Sequence, residues 1–185
     1  MMHESLRQVV HLIFGLGIAG FVLLFDRDLV LSILVLALFA GFILSDAISR
    51  GLYHPGRLAD HRGPRAARRR PPGKGALFFA LGALFCIVFF AKEVAFMGLL
   101  VLALLDSVTT LAGLRFGRTR IYNHKSLEGT LAGFAATAIV LALLVPPGGV
   151  ALATAVAAAV AELASPVDDN LVVPVVACLV LALLL

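Results

Sequence analysis

The sequence predicts an all-α protein, a polytopic membrane bundle of about seven transmembrane helices that forms one integral membrane domain over residues 1–185. The chain is 61% hydrophobic and only 14% charged, whereas soluble domains carry about 25% charged residues. Its apolar residues form continuous runs without alternation, which favours helices over a β-barrel. A length of 185 residues leaves room for about seven spans of about 20 residues and little else. Any chemistry must therefore be built from helix ends and loops.

The apolar runs set the individual spans. We place them at residues 8–25, 29–45, 76–92, 94–112, 128–145, 149–165 and 170–185. The last is short for a full crossing. Both cysteines, Cys86 and Cys178, lie inside apolar runs, so neither indicates a disulfide framework or a metal site.

The basic residues predict the orientation. Of the 15 Lys and Arg residues, only Arg27 and Lys92 fall on one side of a seven-span arrangement. The others fall at the N-terminus, in a basic loop at 46–75 and in a loop at 113–127. Because cytoplasmic loops are enriched in Lys and Arg, we expect these regions in the cytoplasm and the C-terminus outside. In a prokaryote the membrane would be the plasma membrane.

One acid lies inside an apolar run. Asp106 falls in the cytoplasmic third of the fourth predicted span, where an ionisable group is costly and by default indicates function. It is a candidate ligand for Mg²⁺, which prefers one or two carboxylates together with phosphate oxygens and waters. The alternative is an acid that caps or packs the helix and pairs with a nearby arginine.

A second polar cluster follows the sixth predicted span. It consists of Glu162, Asp168, Asp169 and Asn170, with no lysine or arginine among them. The cluster could supply further carboxylates to the same metal, or a base that takes a proton from a hydroxyl. The alternative is an ordinary polar turn between two spans.

The loop at 113–127 is predicted to bind a phosphate chain. Lys125 and Glu128 are three residues apart at the start of the fifth span, where a helix N-terminus favours anions. Gly113, Gly117 and Gly129 would let the backbone approach a phosphate closely. For the arginines of this loop, the positive-inside tendency alone is an equally good explanation.

Glu4, Arg7 and His11 share one face of the first predicted helix, because their spacing is i, i+3, i+7. The alternative is an ordinary amphipathic helix end at the membrane surface. The 46–75 loop is best explained as a solvated basic segment near anionic headgroups.

These residues resemble the CTP-dependent polyprenol kinase family, which includes dolichol kinase, the CTP-using diacylglycerol kinase and phytol kinase. The family pattern has an aspartate at a helix end, a G-x-x-F-G-[RK] loop and a K-S-[LV]-E-G-[TS] string. Here these are Asp106, Gly113-Leu114-Arg115-Phe116-Gly117-Arg118 and Lys125-Ser126-Leu127-Glu128-Gly129-Thr130. A later element of an acid, D-[DN]-N and a proline is matched by Glu162, Asp168-Asp169-Asn170 and Pro174.

The N-terminal element of the family, E-x-x-R-[KR]-x-x-H, is similar to Glu4, Arg7 and His11. Gln8 stands where the family commonly has a second basic residue, Leu105 where it usually has glycine, and Thr109-Thr110 where it has small residues.

The resemblance implies a kinase that transfers the γ-phosphoryl group of CTP, with Mg²⁺, to the hydroxyl of a membrane lipid alcohol such as a polyprenol, dolichol, phytol or diacylglycerol. We expect Asp106 and Asp169 to bind Mg²⁺, with Glu162 as a further ligand. Arg118 and Lys125 would hold the phosphates. The other residues predicted to contact the nucleotide are Ser126, Gly129, Asn170, Arg7 and His11.

The remaining catalytic roles fall to three residues. Glu128 would orient Lys125 or the metal, and Asp168 is the candidate base, with His11 as the second candidate. The partners expected are CTP, the lipid and the bilayer, with no nucleic acid, and a homodimer is left open.

Two other functions stay open. A phosphatidate cytidylyltransferase has a similar layout, but its S-P-K-K-T-x-E-G loop has a proline and a second lysine that Asn123-His124-Lys125-Ser126-Leu127-Glu128-Gly129 lacks. A non-catalytic transporter or transporter subunit would distribute polar residues through the depth of the bilayer, whereas here they cluster on one side.

Overall fold

The computed structural model describes residues 2–49, 74–122, 125–146, 148–165 and 167–185, with the backbone alone for residues 2–4, 49 and 74. Most of the basic 46–75 loop therefore lies outside the described residues. The described ranges contain no strand, only an isolated antiparallel bridge between Arg120 and Ser126. The all-α prediction is confirmed.

Seven helices make up the described part of the chain, and each coincides with a predicted span. They are α1 (Met2–Leu24), α2 (Arg27–Ser49), α3 (Lys74–Phe89), α4 (Lys92–Phe116), α5 (Leu127–Leu144), α6 (Gly148–Ala164) and α7 (Asp169–Leu184). The largest difference is at α1, which begins six residues before the predicted start, because the polar residues of its first two turns continue the helix beyond the apolar run.

Four of these helices are long and apolar enough to cross a membrane, namely α1, α2, α4 and α5. The other three, α3, α6 and α7, are apolar but have only 16, 17 and 16 residues. At 1.5 Å per residue they are about 24 to 26 Å long, which is less than the hydrocarbon thickness of about 30 Å. The structure thus supports a membrane protein, while the number of crossings and the orientation stay predictions.

Helix α4 is the centre of the bundle, with α1, α5 and α7 packed along it. Its residues Leu99, Leu102 and Leu105 have no exposed surface. Glycines allow the close approach of its neighbours, because a Cβ on Gly15 of α1 would lie 2.7 Å from the Cβ of Ala103. Small residues at such crossings are typical of membrane helices, which associate by close backbone packing.

The alternation of helix directions brings several polar helix ends together. The starts of α1, α5 and α7 and the ends of α4 and α6 lie at one end of the bundle, which we call the polar end. This follows from the contacts of His11 with Asp106 and of Lys125 with Glu162 and Asp169. The outward faces of α1 and α2 carry large exposed apolar side chains, such as Phe14 and Phe39, as expected for surfaces that face lipid.

Candidate active site

Three carboxylates from three helices meet at the polar end. Asp106 of α4, Glu162 of α6 and Asp169 of α7 each offer an oxygen, and these oxygens all lie within 4.8 Å of one another. Glu162 is only 1% exposed. Acids that are 56 and 63 positions from Asp106 along the chain are therefore neighbours in space, and we call this group the carboxylate cluster.

Lys125 joins the cluster from the loop before α5. Its ammonium nitrogen donates to Oε1 of Glu162 at 2.8 Å and to Oδ2 of Asp169 at 2.9 Å. Burial by itself would lower the pKa of Lys125, but the two carboxylates outweigh this and raise the pKa above the ordinary lysine value. The lysine therefore stays protonated at neutral pH and supplies one positive charge to three acids.

Thr109 completes the hydrogen bonding of Glu162. Its hydroxyl donates to Oε2 of Glu162 at 3.2 Å, so both oxygens of this buried acid have a partner. Thr109 lies one turn after Asp106 on the same face of α4. Sequence reasoning did not assign it to the site, although the i, i+3 spacing from Asp106 was a signal that could have found it.

Glu128 lies in the first turn of α5 and does not contact the cluster. Its carboxylate accepts the backbone N–H groups of Arg118 and Thr119, each at 3.1 Å. These contacts of Glu128 therefore do not support its expected role of orienting Lys125 or the metal directly. The contacts that Glu128 makes instead fix the loop between α4 and α5.

That loop is held as a narrow hairpin. Leu127 N–H donates to the carbonyl of Thr119, and Ile121 N–H donates to the carbonyl of Lys125, both at 2.9 Å. Ser126 caps α5, because its hydroxyl accepts the N–H of Gly129 at 3.2 Å. Lys125 is thus positioned by backbone bonds on both sides. Asn123 and His124 lie outside the described residues.

A cavity of about 300 Å³ opens beside Lys125. It lies between the end of α4 and the hairpin, and its wall contains hydroxyl and basic groups together with one apolar side chain. The residues that line it include Thr109, Thr110, Leu114, Arg120, Lys125 and Ser126. Arg120 was not among the predicted phosphate-binding residues, whereas Arg118, which was, is exposed on the hairpin and does not line the cavity.

The glycines of the loop serve packing in this structure. A Cβ on Gly129 would lie 2.5 Å from the carbonyl oxygen of Thr109, and a Cβ on Gly113 would lie 2.9 Å from the Ser126 hydroxyl. These glycines let α5 and its cap press against α4. They therefore set the distance between the hairpin that carries Lys125 and helix α4 that carries Asp106. This role in packing differs from the predicted role of contacting a phosphate.

The α1 residues reach the cluster from another side. His11 Nε2 lies 3.3 Å from Oδ2 of Asp106, at ion-pair distance but without the alignment of a hydrogen bond. The His11 ring also meets the ring of Phe79 edge-on. Arg7 lies one turn earlier and is exposed. The side chain of Glu4, the third member of the predicted face, lies outside the described residues.

Asp168 caps α7. Its Oδ1 accepts the backbone N–H of Asn170 at 3.3 Å and the side-chain amide of Asn170 at 3.0 Å. Both bonds use the same carboxylate oxygen, so Oδ2 takes no part in them. Asp168 and Asn170 thus form one local unit beside Asp169.

The carboxylate cluster fits a hard divalent cation. Carboxylate oxygens from Asp106, Glu162 and Asp169, within 4.8 Å of one another, match the oxygen donors that Mg²⁺ prefers, and Mg²⁺ usually keeps sites for phosphate oxygens and water. All three predicted metal ligands are therefore together. Of the residues predicted to contact the nucleotide, Lys125 and Ser126 line the adjacent cavity.

Comparisons with known proteins give one extended similarity and one local similarity. The chain is 32% identical over 185 residues to the uncharacterized protein MJ1137 of Methanocaldococcus jannaschii, covering 97% of this chain and 93% of that protein. It is 39% identical over 62 residues to CTP-dependent diacylglycerol kinase 1 of Eremothecium gossypii, covering 32% of this chain and 20% of that protein. No family model and no solved structure matches.

Proposed function

We propose that this chain, which belongs to the same family as the uncharacterized protein MJ1137 of Methanocaldococcus jannaschii, is a lipid kinase that transfers the γ-phosphoryl group of CTP to the hydroxyl of a membrane lipid alcohol. The observation that carries the proposal is the carboxylate cluster with Lys125 beside a polar cavity. The local similarity to a CTP-dependent diacylglycerol kinase supports the same reaction class.

Phosphoryl transfer makes few covalent demands on a protein. The lipid oxygen forms a bond to the γ-phosphorus, the bond from that phosphorus to the bridging β–γ oxygen breaks, and CDP leaves. The hydroxyl proton passes to a base, for which Asp168 is the candidate. Catalysis then depends on alignment and on neutralising the charge of the phosphates.

The residues of the site would provide both the alignment and the charge neutralisation. Lys125 and Arg120 would contact the phosphates of a nucleotide in the cavity, since both line it. Asp106, Glu162 and Asp169 would hold Mg²⁺, which when bound would neutralise charge on the phosphates. Glu128 would act indirectly, because it fixes the hairpin that carries Lys125 and Arg120.

The acceptor is best taken as a neutral hydroxyl. Three carboxylates and one lysine leave a net negative cluster, which one bound Mg²⁺ would only neutralise, so it offers no positive charge to a lipid phosphate. A cytidylyltransferase must bring such a phosphate to the α-phosphorus of CTP, and would need more positive charge on the lipid side of the site.

The experiment follows label from two positions of CTP. Purified protein in detergent with Mg²⁺ is given a panel of lipid alcohols and either γ-labelled or α-labelled CTP, and the lipid fraction is counted. The kinase reaction puts label into lipid from the γ position only and releases CDP. Label from the α position only, with release of pyrophosphate, would establish the cytidylyltransferase reaction instead, and no label from either would remove both.

A further inference from the structure

Among the side chains of α1 that the structure describes, its inward face carries one buried polar group. Its fully buried positions include Gly15, Ala19 and Val22, which are small or apolar and pack on α4. Gln8 continues this stripe toward the polar end and is only 5% exposed. A glutamine in the interface of two membrane helices is costly unless its amide finds partners.

The side-chain oxygen of Gln8 is not satisfied by any of the residues that the structure describes. Its side-chain oxygen Oε1 is buried and has no hydrogen-bond partner. The nearby contact is made by its backbone, whose carbonyl accepts the hydroxyl of Ser107 at 3.5 Å. Buried side-chain acceptors normally have a partner, and one without a partner calls for an explanation such as an absent ligand.

A second orphaned atom lies one turn further along α1. His11 Nε2 is also buried without a hydrogen-bond partner, although it lies 3.3 Å from Asp106. Gln8 and His11 are i and i+3 and therefore lie on the same face. Opposite them are Ser107 and Asp106, adjacent residues of α4. The two orphaned polar atoms thus flank the edge of the carboxylate cluster on the α1 side.

On this side the cluster is bordered by α1 and by Phe79 of α3. Helix α1 packs along α4, but it has few contacts with α3 among the described residues. Phe79 of α3 reaches across, with its ring centroid 5.6 Å from that of His11 and an atom 3.8 Å from where a Cβ on Gly15 would stand. Phe79 is only 6% exposed, so this one side chain covers the boundary between α1 and α3, and it would have to turn aside for a membrane lipid to approach Asp106 there.

We propose that Gln8 and His11 form the binding site for the hydroxyl group of the lipid alcohol, entered between α1 and α3. Before transfer the hydroxyl donates its hydrogen to Gln8 Oε1, and its oxygen lies beside His11 Nε2; the proton passes to the base only as the oxygen bonds to the γ-phosphorus. The nucleotide cavity is on the α5 side of α4, so donor and acceptor approach the cluster from different sides, as an in-line transfer requires. That the bound alcohol is the phosphoryl acceptor rests on the proposed function.

Gln8 also fits a neutral group better than an anion. A glutamine oxygen is an acceptor of hydrogen bonds, so it selects a group that carries a hydrogen to donate. An alcohol has one, whereas its methyl ether does not. This difference allows the site to be tested without any nucleotide.

The test measures binding of tritiated geranylgeraniol and of its tritiated methyl ether to the full chain in nanodiscs, with no CTP present. We expect the wild type to bind the alcohol about tenfold more tightly than the ether, as one buried hydrogen bond implies. Gln8→Leu, or Gln8→Met if the first variant is not monodisperse, should bind both probes equally and weakly. The matched control is Thr137→Val, which removes another buried, unpartnered polar atom, from the middle of α5, and should keep the preference.

A wild type that does not distinguish alcohol from ether, or a Gln8→Leu variant that keeps the full preference, would overturn the hydroxyl site. In the kinase assay the same variant should raise KM for the alcohol about tenfold and leave KM for CTP unchanged, whereas a merely structural role would alter both. If the preference depends on Gln8 but no label moves from CTP, the hydroxyl site stands and the proposed kinase reaction falls.

Discussion

Replacing Lys125 by methionine is expected to destabilise the protein, because it leaves the buried acids without their cation. Methionine keeps most of the volume of the lysine stem and removes the charge. The side chain of Glu162 is fully buried, that of Lys125 is 18% exposed and that of Asp169 is 28% exposed. Removing one member of a buried pair costs about 3 to 5 kcal/mol, since the other is left charged and unpaired.

The lower end of that range is the appropriate expectation. Lys125 and Asp169 both keep some contact with water, which screens their interaction. A loss of about 3 kcal/mol in a chain of this length corresponds to a Tm lower by about 6 to 12 °C. Because the carboxylates raise the pKa of Lys125, its contribution is fully present below the ordinary lysine pKa and is lost only as pH rises through the raised value. The loss should therefore be the same at neutral and mildly alkaline pH.

The assay is a double-mutant cycle read by thermal unfolding in detergent without divalent cations. Lys125→Met is compared with Glu162→Gln and with the variant that carries both changes. In the double variant the neutral glutamine at position 162 does not need the positive charge of Lys125. We expect the double variant to recover about 2 kcal/mol relative to the sum of the single losses. Arg118→Met is the control, because it removes an exposed cation from the same hairpin and should change stability by less than about 0.5 kcal/mol.

Two results would refute the reasoning. A Lys125→Met variant with the Tm of the wild type would mean that Lys125 does not compensate the buried acids. Strictly additive losses in the double variant would mean that Lys125 and Glu162 do not interact energetically, and the role of Lys125 as the cation of the cluster would have to be abandoned.

Three further predictions concern the metal, the helix packing and the topology. Asp106→Asn should stop label transfer from CTP and leave the elution profile and Tm near those of the wild type, because one ligand of the metal–phosphate clamp is lost; near-normal turnover at saturating Mg²⁺ would remove Asp106 from the site. Gly133→Ala should cost about 1 to 3 kcal/mol of stability, because its Cβ would overlap a hydroxyl of α4. Gly17→Ala is the control and should not destabilise the protein, because the space around Gly17 is open. Equal Tm values for the two variants would contradict the packing. Cysteines at Arg120 and Pro147, in a chain freed of its own cysteines, should be labelled by an impermeant thiol reagent in intact cells only at 147, and the reverse pattern would invert the orientation.

Sequence reasoning located the helices and the acids well, for identifiable physical reasons. Ser126 and Asp168 cap α5 and α7, and an apolar run follows each of them closely. The starts of α5 and α7 could therefore be predicted within one residue. Asp106 could be singled out because it interrupts an apolar run. Helix alternation then places it at the same end as Glu162 and Asp169, and this is how the cluster could be anticipated.

The specific partners could not be predicted in the same way. The turn of the loop decides that Glu128 bonds to the backbone of the hairpin. It also decides that Arg120 lines the cavity and Arg118 does not. No periodic pattern in the sequence encodes such a turn. The bond from Thr109 to Glu162 depends on how α6 rotates against α4. The burial of Gln8 depends on the crossing of α1 over α4, where small residues allow close contact.

The short length of α3, α6 and α7 has a consequence for the membrane itself. A helix of about 24 Å does not match a hydrocarbon layer of about 30 Å, and the lipids next to it adapt by thinning. Two of these helices, α6 and α7, contribute Glu162 and Asp169 from their polar ends. In the proposed kinase, thinning around them would draw the headgroup plane toward the carboxylates, so that a lipid hydroxyl could reach the acids while its chain stays among other acyl chains. Bilayer thickness would then become a variable of the proposed reaction, because these helices are a few residues shorter than a full crossing.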